Sequence, residues 1–477
     1  MEEAKVGEGG LVRELKFSMA VSVVVGTVIG SGIFIGANRV AAASSSAWMM
    51  FAIWIGAGLL TLLGALTYAE FGAMYPRSGG DYVYVNRSIS PFFGFFVGWA
   101  SFSINLPAST AALALAFASQ MDALKPDVHD VLFIEGFSTR FTAVAIIAVF
   151  TLINYFGVKF GGNTQRTLTF AKVALMLLLV AIAVWPSNHD PSNLSTFFEP
   201  SRDATLPFVA AVVAALFAYD GWNAVSRVAG EVRNPQRLVP RALTTGVLAI
   251  ITIYVLVNFA YLLILGLDGM AHSDSGVVNY SVDRLIASRA AQAVLGNAGE
   301  ALVAIVISVS ILGTINGLIL SGPRIYFAMA RDRLFFRSVG EVHRVHRTPH
   351  RSIVLQGLIS ALLVLFFSFE QLQNYVVLAA WVAYALTGYG LLRHRRKHPE
   401  ITRPYKVPFY PFVPLIFTVL AAAFLIYLFV DSLPANQGGS YEALFYFAVN
   451  IVVLLAAIPL YQAMRQRYGE TPAGPAE

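Results

Sequence analysis

The amino-acid sequence predicts an all-α polytopic membrane protein of twelve transmembrane helices, built in two halves of similar design. Three observations predict it. Apolar runs of about 20 residues, each able to span a bilayer, recur along the whole chain. Only 13% of the residues are charged and 57% are hydrophobic. The first and sixth runs are each interrupted near mid-depth by glycine. A soluble chain would carry nearer a quarter charged residues, so the roughly three soluble domains that length alone suggests are set aside.

The first run, near 17–43, reads VSVVVGTVIGSGIFIG over 21–36, with Gly30-Ser31-Gly32 in its middle. Glycine costs about 1 kcal/mol relative to alanine inside a helix. Unwound backbone at this depth is tolerated only where protein or a ligand-filled cavity receives it. Four spans follow near 48–74, 91–119, 139–157 and 166–186. The fifth carries Lys172, six residues and roughly 9 Å inside Arg166. Two readings stand beside each other there: a lysine snorkelling to the headgroups, and a functional intramembrane charge. The sixth span, near 206–231, contains FVAAVVAALFAYDGWNAVSRVAGEV, with Asp220-Gly221 midway. Six more lie near 241–266, 292–320, 351–368, 372–392, 409–431 and 442–463.

Charge placement orients these spans. Of the 33 Lys and Arg, only Arg39, Lys125, Arg140, Arg202, Arg284 and Arg289 fall on one side, with Lys172 in mid-span. The remainder fall on the other side, which predicts that both termini face the cytoplasm. The basic balance is then a matter of topology and anionic lipid, and no nucleic-acid partner is expected. MEEAKVGEGG has no basic start, apolar core or cleavage site, so no secretory signal is expected. The chain has no cysteine, which removes disulfides, thiolate metal sites and cysteine nucleophiles. All eight histidines fall in predicted loops or at span ends, which argues against an intramembrane histidine relay.

The two breaks lie at matching positions, roughly thirteen residues into spans that enter from opposite sides. Interrupted segments at corresponding places of two halves point to an inverted-repeat transporter of the LeuT type, with substrate bound at the repeat interface. One glycine cluster alone would be a helix-packing or kink site; the pair, with an aspartate at one of them, makes that the weaker reading. The far half of span 1 begins after Gly30 and offers free N–H groups, which suit a carboxylate. The first half of span 6 ends near Phe217 to Asp220 and offers carbonyls, which suit an ammonium group. Opposed anion and cation sites a few ångströms apart describe an α-amino acid.

Several stretches carry a resemblance. They are GTVIGSGIF (26–34), YAEFGAMYPRSGGDYVY (68–84), FAYDGWN (217–223), GEVRNPQRLVPRAL (230–243), GTINGLILSGPRIYFAMARD (313–332) and RPYKVPFYPFVP (403–414). With them the chain resembles the amino acid–polyamine–organocation superfamily. Within it the likeness is to the L-type amino acid transporter family and its bacterial serine/threonine exchanger branch. The resemblance implies a 5+5 inverted repeat over 17–186 and 204–395, with spans 11 and 12 over 403–464. Residues 1–16 and 465–477 are then cytoplasmic tails. It implies substrate carboxylate on the amides around Gly30, Ser31 and Gly32, and substrate amine on the carbonyls of Val28, Phe217 and Asp220. Trp222 and Asn223 would border the side-chain pocket. Lys172 would supply the charge that sodium provides in sodium-coupled relatives, bridging span 1 to span 8 through Ser310, Thr314 or Asn316.

The Asp220 carboxylate is expected to cap the amides of the second half of span 6, ahead of a role as counter-ion for a cationic substrate or as a proton carrier. Glu70, near Pro76, reads as a gate or a solvated ion pair. Neither span 3 nor span 10 supplies a carboxylate for a guanidinium, so small or medium neutral amino acids of the serine, threonine and alanine type lead. Exchange, facilitated diffusion and proton symport stay open, since coupling depends on whether the empty carrier reorients. Eukaryotic L-type light chains join a glycoprotein heavy chain through a cysteine after span 3. The corresponding stretch, QMDALKPDVHDVLFIEGFSTR, has none. A stand-alone prokaryotic inner-membrane carrier, monomeric or a non-covalent dimer, is implied, with no cofactor. A membrane enzyme is disfavoured because the spans hold no His, Cys, HExxH or GxSxG. A channel would favour rings of charge or carbonyl filters.

Overall fold

The computed structural model describes residues 10–124, 137–185, 190–195, 197–200, 202–271, 285–434 and 441–469. The expectations for residues 1–9 and 470–477, for Lys125 and Arg284, and for most of the loop after span 3 lie outside these residues. The described chain is all-helical, with one isolated bridge between Leu15 and Val232. Eight helices are long and apolar enough to cross a membrane, and one further pair passes together while bent by 49° at its break.

That bent pair opens the chain, as α1 (Phe17–Val28) and α2 (Gly32–Ala42). Next come α3 (Ala47–Met74), α4 (Asp81–Ser88) and α5 (Pro91–Ala100), the last continuing through a wide turn at Ser101–Asn105 into α6 (Leu106–Leu124). Beyond them lie α7 (Phe137–Tyr155), α8 (Val158–Val184), α9 (Phe208–Ala218) and the single turn α10 (Ala224–Arg227). The second half holds α11 (Pro235–Ala271), α12 (Ile286–Leu295), α13 (Asn297–Ser321) and α14 (Pro323–Arg331), then α15 (His350–Phe366) and α16 (Phe369–Lys397). α17 (Phe412–Asp431), α18 (Glu442–Leu455) and α19 (Ala457–Tyr468) end it.

Helices α11, α8 and α16 outrun the predicted spans because hydrogen bonding along a helix does not stop at the hydrocarbon boundary. α11 starts at Pro235, where a proline lacks an amide that a first turn would leave unused anyway. α4 and α14 lie in stretches read as loops; both are short and polar-flanked, and no hydropathy window detects them. Large apolar side chains stay exposed along α8 (Phe170, Leu177, Leu178), α15 (Leu358, Phe366) and α17 (Val419, Ile426), the faces a bilayer would cover.

Buried charge ties the basic end of the bundle together. Arg324 of α14 donates to both oxygens of Glu231 at 2.7 and 3.0 Å, and both side chains are fully buried. The carbonyl of Glu231 accepts the Leu15 amide at 2.9 Å, and the Arg233 amide returns to Leu15 at 3.0 Å, so the segment before α1 is strapped to the segment after α10. Glu70 is buried, not solvated: it accepts from Arg395 at 2.7 Å and from the Val407 amide at 2.7 Å, with Arg403 at 3.5 Å. A buried ion left without its partner costs about 3–5 kcal/mol, whereas replacing both partners with apolar groups is often neutral. Arg324→Met is therefore expected to lower the thermal unfolding midpoint of the detergent-purified protein sharply, and Glu231→Leu added to it to restore most of the loss. A double variant as unstable as the single one would show that charge compensation is not what this pair contributes.

Candidate functional site

The breaks at Ile29–Ser31 and Tyr219–Asn223 meet in space. A Cβ on Gly32 would lie 2.8 Å from the Ala218 Cα, and one on Gly221 would lie 3.1 Å from the Thr27 methyl. Gly221 has φ +95°, a conformation other residues rarely adopt. Tyr254 of α11 bridges the two ends: its hydroxyl donates to the Ala218 carbonyl at 2.7 Å, with the Val28 carbonyl at 3.4 Å.

At the start of α2, the first amides to bond back are Phe34 and Ile35, which reach the Ser31 carbonyl at 3.1 and 3.2 Å. The amides of Ser31, Gly32 and Ile33 precede them, and no side-chain cap serves this helix end. Gly32 lines a cavity of about 210 Å³ together with Gly36, Arg39, Phe217, Asp220, Trp381 and Phe424. The carbonyls facing these amides are partly engaged, since Val28 accepts the Gly30 amide at 2.8 Å and Phe217 accepts the Asp220 amide at 3.1 Å. The Tyr254 hydroxyl takes up the remaining acceptor capacity of Val28, while Phe217 keeps a lone pair for a further donor.

Asp220 at the cavity floor accepts the Tyr384 hydroxyl at 2.6 Å. The residue that precedes the next helical turn, α10, is Asn223, whose side chain does not cap it either. Asn223 donates instead to both oxygens of Asp81 at 2.9 and 3.0 Å and accepts from Arg227 at 3.1 Å. Tyr68 completes that cluster with a 2.6 Å bond to Asp81. Asn223 thus belongs to a buried polar closure on the basic side of the cavity. Trp222 is buried as well, packed edge-on to Tyr68 at 4.7 Å and tilted against Tyr384 at 5.3 Å. Trp381 and Phe424, whose rings lie 4.3 Å apart, line the cavity in its place.

Lys172 is fully buried, and its ammonium does not snorkel. It donates to the carbonyls of Gly26 at 2.9 Å, Ile29 at 2.6 Å and Ser310 at 2.9 Å, one for each N–H. Gly26 and Ile29 are the carbonyls that the break leaves at the end of α1, the end of a helix that favours a cation. Ser310 takes part through its backbone. Thr314 lies with it, its hydroxyl 3.1 Å from the Ser310 carbonyl and 3.2 Å from that of Gly26. Asn316, two residues on, faces elsewhere: it bonds Gln165 at 2.7 Å and Asn154 at 2.9 Å. Gln165 and Thr169 in turn donate to the Ser22 carbonyl at 3.3 and 3.1 Å. Space for the ammonium comes from Gly313, where a Cβ would lie 2.8 Å from the Lys172 Nζ.

A membrane protein whose two broken helices meet beside one cavity has the build of a solute carrier. Residues 15–457 match the family described as Amino acid permease. The chain belongs to that family, within the amino acid–polyamine–organocation superfamily. It is similar to the Serine/threonine exchanger SteT of Bacillus subtilis (strain 168), 32% identical over 96% of this chain and 98% of that one. It is also similar to the b(0,+)-type amino acid transporter 1 of Mus musculus, 28% identical over 89% of this chain and 84% of the relative. The Cystine/glutamate transporter of Homo sapiens is 29% identical over 94% of this chain and 85% of its own length. The relatives are transporters rather than enzymes, and amino acid transport is the function of the family to which this chain belongs. With no cysteine in its sequence, the chain cannot be joined to a partner by a disulfide.

Two substitutions test the site. Gly313→Val drives a branched side chain into the space of the Lys172 ammonium, and uptake into proteoliposomes is expected to fall at least tenfold, roughly the cost of one charged hydrogen bond. Gly32→Leu pushes α2 off the Ala218 backbone and is expected to abolish uptake while the protein still elutes as a single species. Unchanged transport in either variant would remove that residue from the mechanism.

Proposed function

We propose that this protein is a sodium-independent, alternating-access carrier of small and medium neutral L-amino acids, working as an exchanger. In this reading it crosses the membrane twelve times as a LeuT-type 5+5 inverted repeat, with both termini cytoplasmic, in a prokaryotic inner membrane, and acts without a heavy chain. The observation that carries the proposal is the junction of the two breaks. Gly32 at the start of α2 and Phe217 and Asp220 at the end of α9 line one cavity, so a carboxylate and an ammonium on the same carbon suit the two helix ends.

Lys172 supports sodium independence, because an ammonium already occupies the carbonyl cage between α1 and α13 where a cation would sit. The cavity walls favour a neutral side chain, being formed largely by Ile35, Val213, Val376, Trp381 and Phe424. The one carboxylate there, Asp220, already accepts a hydrogen bond from Tyr384, and Arg39 lines the same cavity, which weighs against a cationic substrate. Serine and threonine are the substrates that the name of the Bacillus subtilis relative gives for that protein. Apolar walls also admit leucine-sized side chains, since one methylene changes binding by only about 1–3 kcal/mol. The cavity runs along α2 and the last turns of α9, while the Asp81 and Glu231 clusters close the opposite, basic side. That asymmetry is what one end-state of an alternating carrier requires.

Purified protein in liposomes, given labelled serine, leucine or arginine with and without internal amino acid, tests the proposal. Uptake of serine and leucine is expected to rise severalfold with internal amino acid and to ignore a sodium gradient. Sodium dependence would remove the assigned role of Lys172. Preferential arginine uptake that Asp220→Asn abolishes would make Asp220 a substrate counter-ion, and acceleration by a proton gradient without internal amino acid would make the carrier a symporter.

A further inference from the structure

Of the three arginines in the stretch GEVRNPQRLVPRAL, Arg233 belongs to the strap before α11, and Arg237 and Arg241 take no part in the contacts described above. They lie four residues apart near the start of α11 and so share one face. A groove of about 650 Å³ opens at that face, lined by both arginines with Asn234, Gln236, Tyr405 and Leu66. No Asp or Glu lines it. Neighbouring arginines are spoken for: Arg227 pairs with Asp81, Arg324 with Glu231, Arg395 and Arg403 with Glu70. Neither Arg237 nor Arg241 has an ion-pair partner among the described residues.

Continued along α11, the same face changes character in a set order. Arg237 and Arg241 are followed by the exposed Thr245 and then by Leu248, which is 48% exposed. The distance from Arg237 to Leu248 along the axis is about 16 Å. A phospholipid has the same order over a similar length: phosphate, then ester oxygens, then hydrocarbon. The arginines also lie at the basic end of the bundle, where the leaflet would be anionic.

We propose that this groove binds one anionic phospholipid. The phosphate sits on the Arg237 and Arg241 guanidiniums, within reach of the Tyr405 hydroxyl, and an acyl chain runs past Thr245 onto Leu248. Two guanidiniums on one phosphate form paired charge-assisted hydrogen bonds. The apolar continuation selects a lipid over a free phosphate, which would need only the first turn. The proposal rests on the membrane-spanning reading of α11 and is independent of which amino acid is carried.

The test uses the full-length protein in detergent, titrated with phosphatidylglycerol or phosphatidylcholine, with bound lipid counted by native mass spectrometry. Phosphatidylglycerol is expected to bind preferentially, and Arg237→Gln with Arg241→Gln to weaken it roughly thirtyfold, the sum of two basic residues at a membrane surface. Arg396→Gln with Lys397→Gln, an equal loss of exposed charge at the end of α16, is expected to leave it unchanged. Arg237→Lys with Arg241→Lys is expected to retain the preference for the anionic lipid. Equal weakening in both glutamine pairs would overturn the proposal, as would wild-type protein that binds the two lipids alike. Displacement of the lipid by an equal concentration of glycerol phosphate would reassign the groove to a soluble anion. The wild-type comparisons decide the matter even if the glutamine pair fails to fold.

Discussion

A helix interrupted inside a bilayer must find partners for every backbone group that the interruption frees, and this constraint organises the structure around α1. The carbonyls released at its end are met from three directions. Lys172 of α8 takes Gly26 and Ile29, Thr314 of α13 lies beside the same pair, and Tyr254 of α11 approaches Val28. One turn earlier, Gln165 and Thr169 take the Ser22 carbonyl. Protein groups thus satisfy the carbonyl side of the first break. The amides of Gly32 and Ile33 on the other side are not met in this way. Under the proposed function these are the donors that would receive the substrate carboxylate.

The cost of burying Lys172 explains why its cage is crowded. An ammonium without a carboxylate nearby has to be held by dipoles, and three carbonyls match its three N–H groups. Two of them come from the broken helix and one from α13. Any rotation of α1 against α8 and α13 therefore has to break charge-assisted hydrogen bonds, each stronger than an ordinary one. The cage therefore holds α1 in the position seen here against α8 and α13.

The sequence revealed the breaks because glycine in an apolar span conflicts with both helix propensity and lipid exposure, and because the two breaks occur at matching positions. Lys172 stood out by its charge at membrane depth, but only the resemblance favoured a bridging role over snorkelling. What stayed hidden were residues whose types suit a membrane core as well as a site. Trp381, Tyr384 and Phe424 read as ordinary residues of a span in VVLAAWVAYALTGYG and in span 11; only packing brings Trp381 and Phe424 to the cavity and Tyr384 onto Asp220. Asn223 is a different case. The resemblance implies that it borders the side-chain pocket, but its partner Asp81 lies 142 residues away in a helix with no hydropathy signal. Ser310 and Asn316 were indistinguishable by sequence because the decisive group is a backbone carbonyl.

The aromatic residues missed in this way form a physical link between the two sides of the carrier. Phe424, Trp381, Tyr384, Trp222 and Tyr68 stand in a chain of ring contacts, with successive centroids 4.3, 5.6, 5.3 and 4.7 Å apart. The first two face the cavity. Tyr384 holds Asp220 at the break, and Tyr68 holds Asp81 in the closure on the basic side. A solute that displaces Trp381 or withdraws Asp220 from Tyr384 shifts rings that pack directly on Tyr68. Close-packed aromatic contacts do not absorb such a shift elastically. The cavity wall and the Asp81 cluster are therefore in unbroken contact through five side chains.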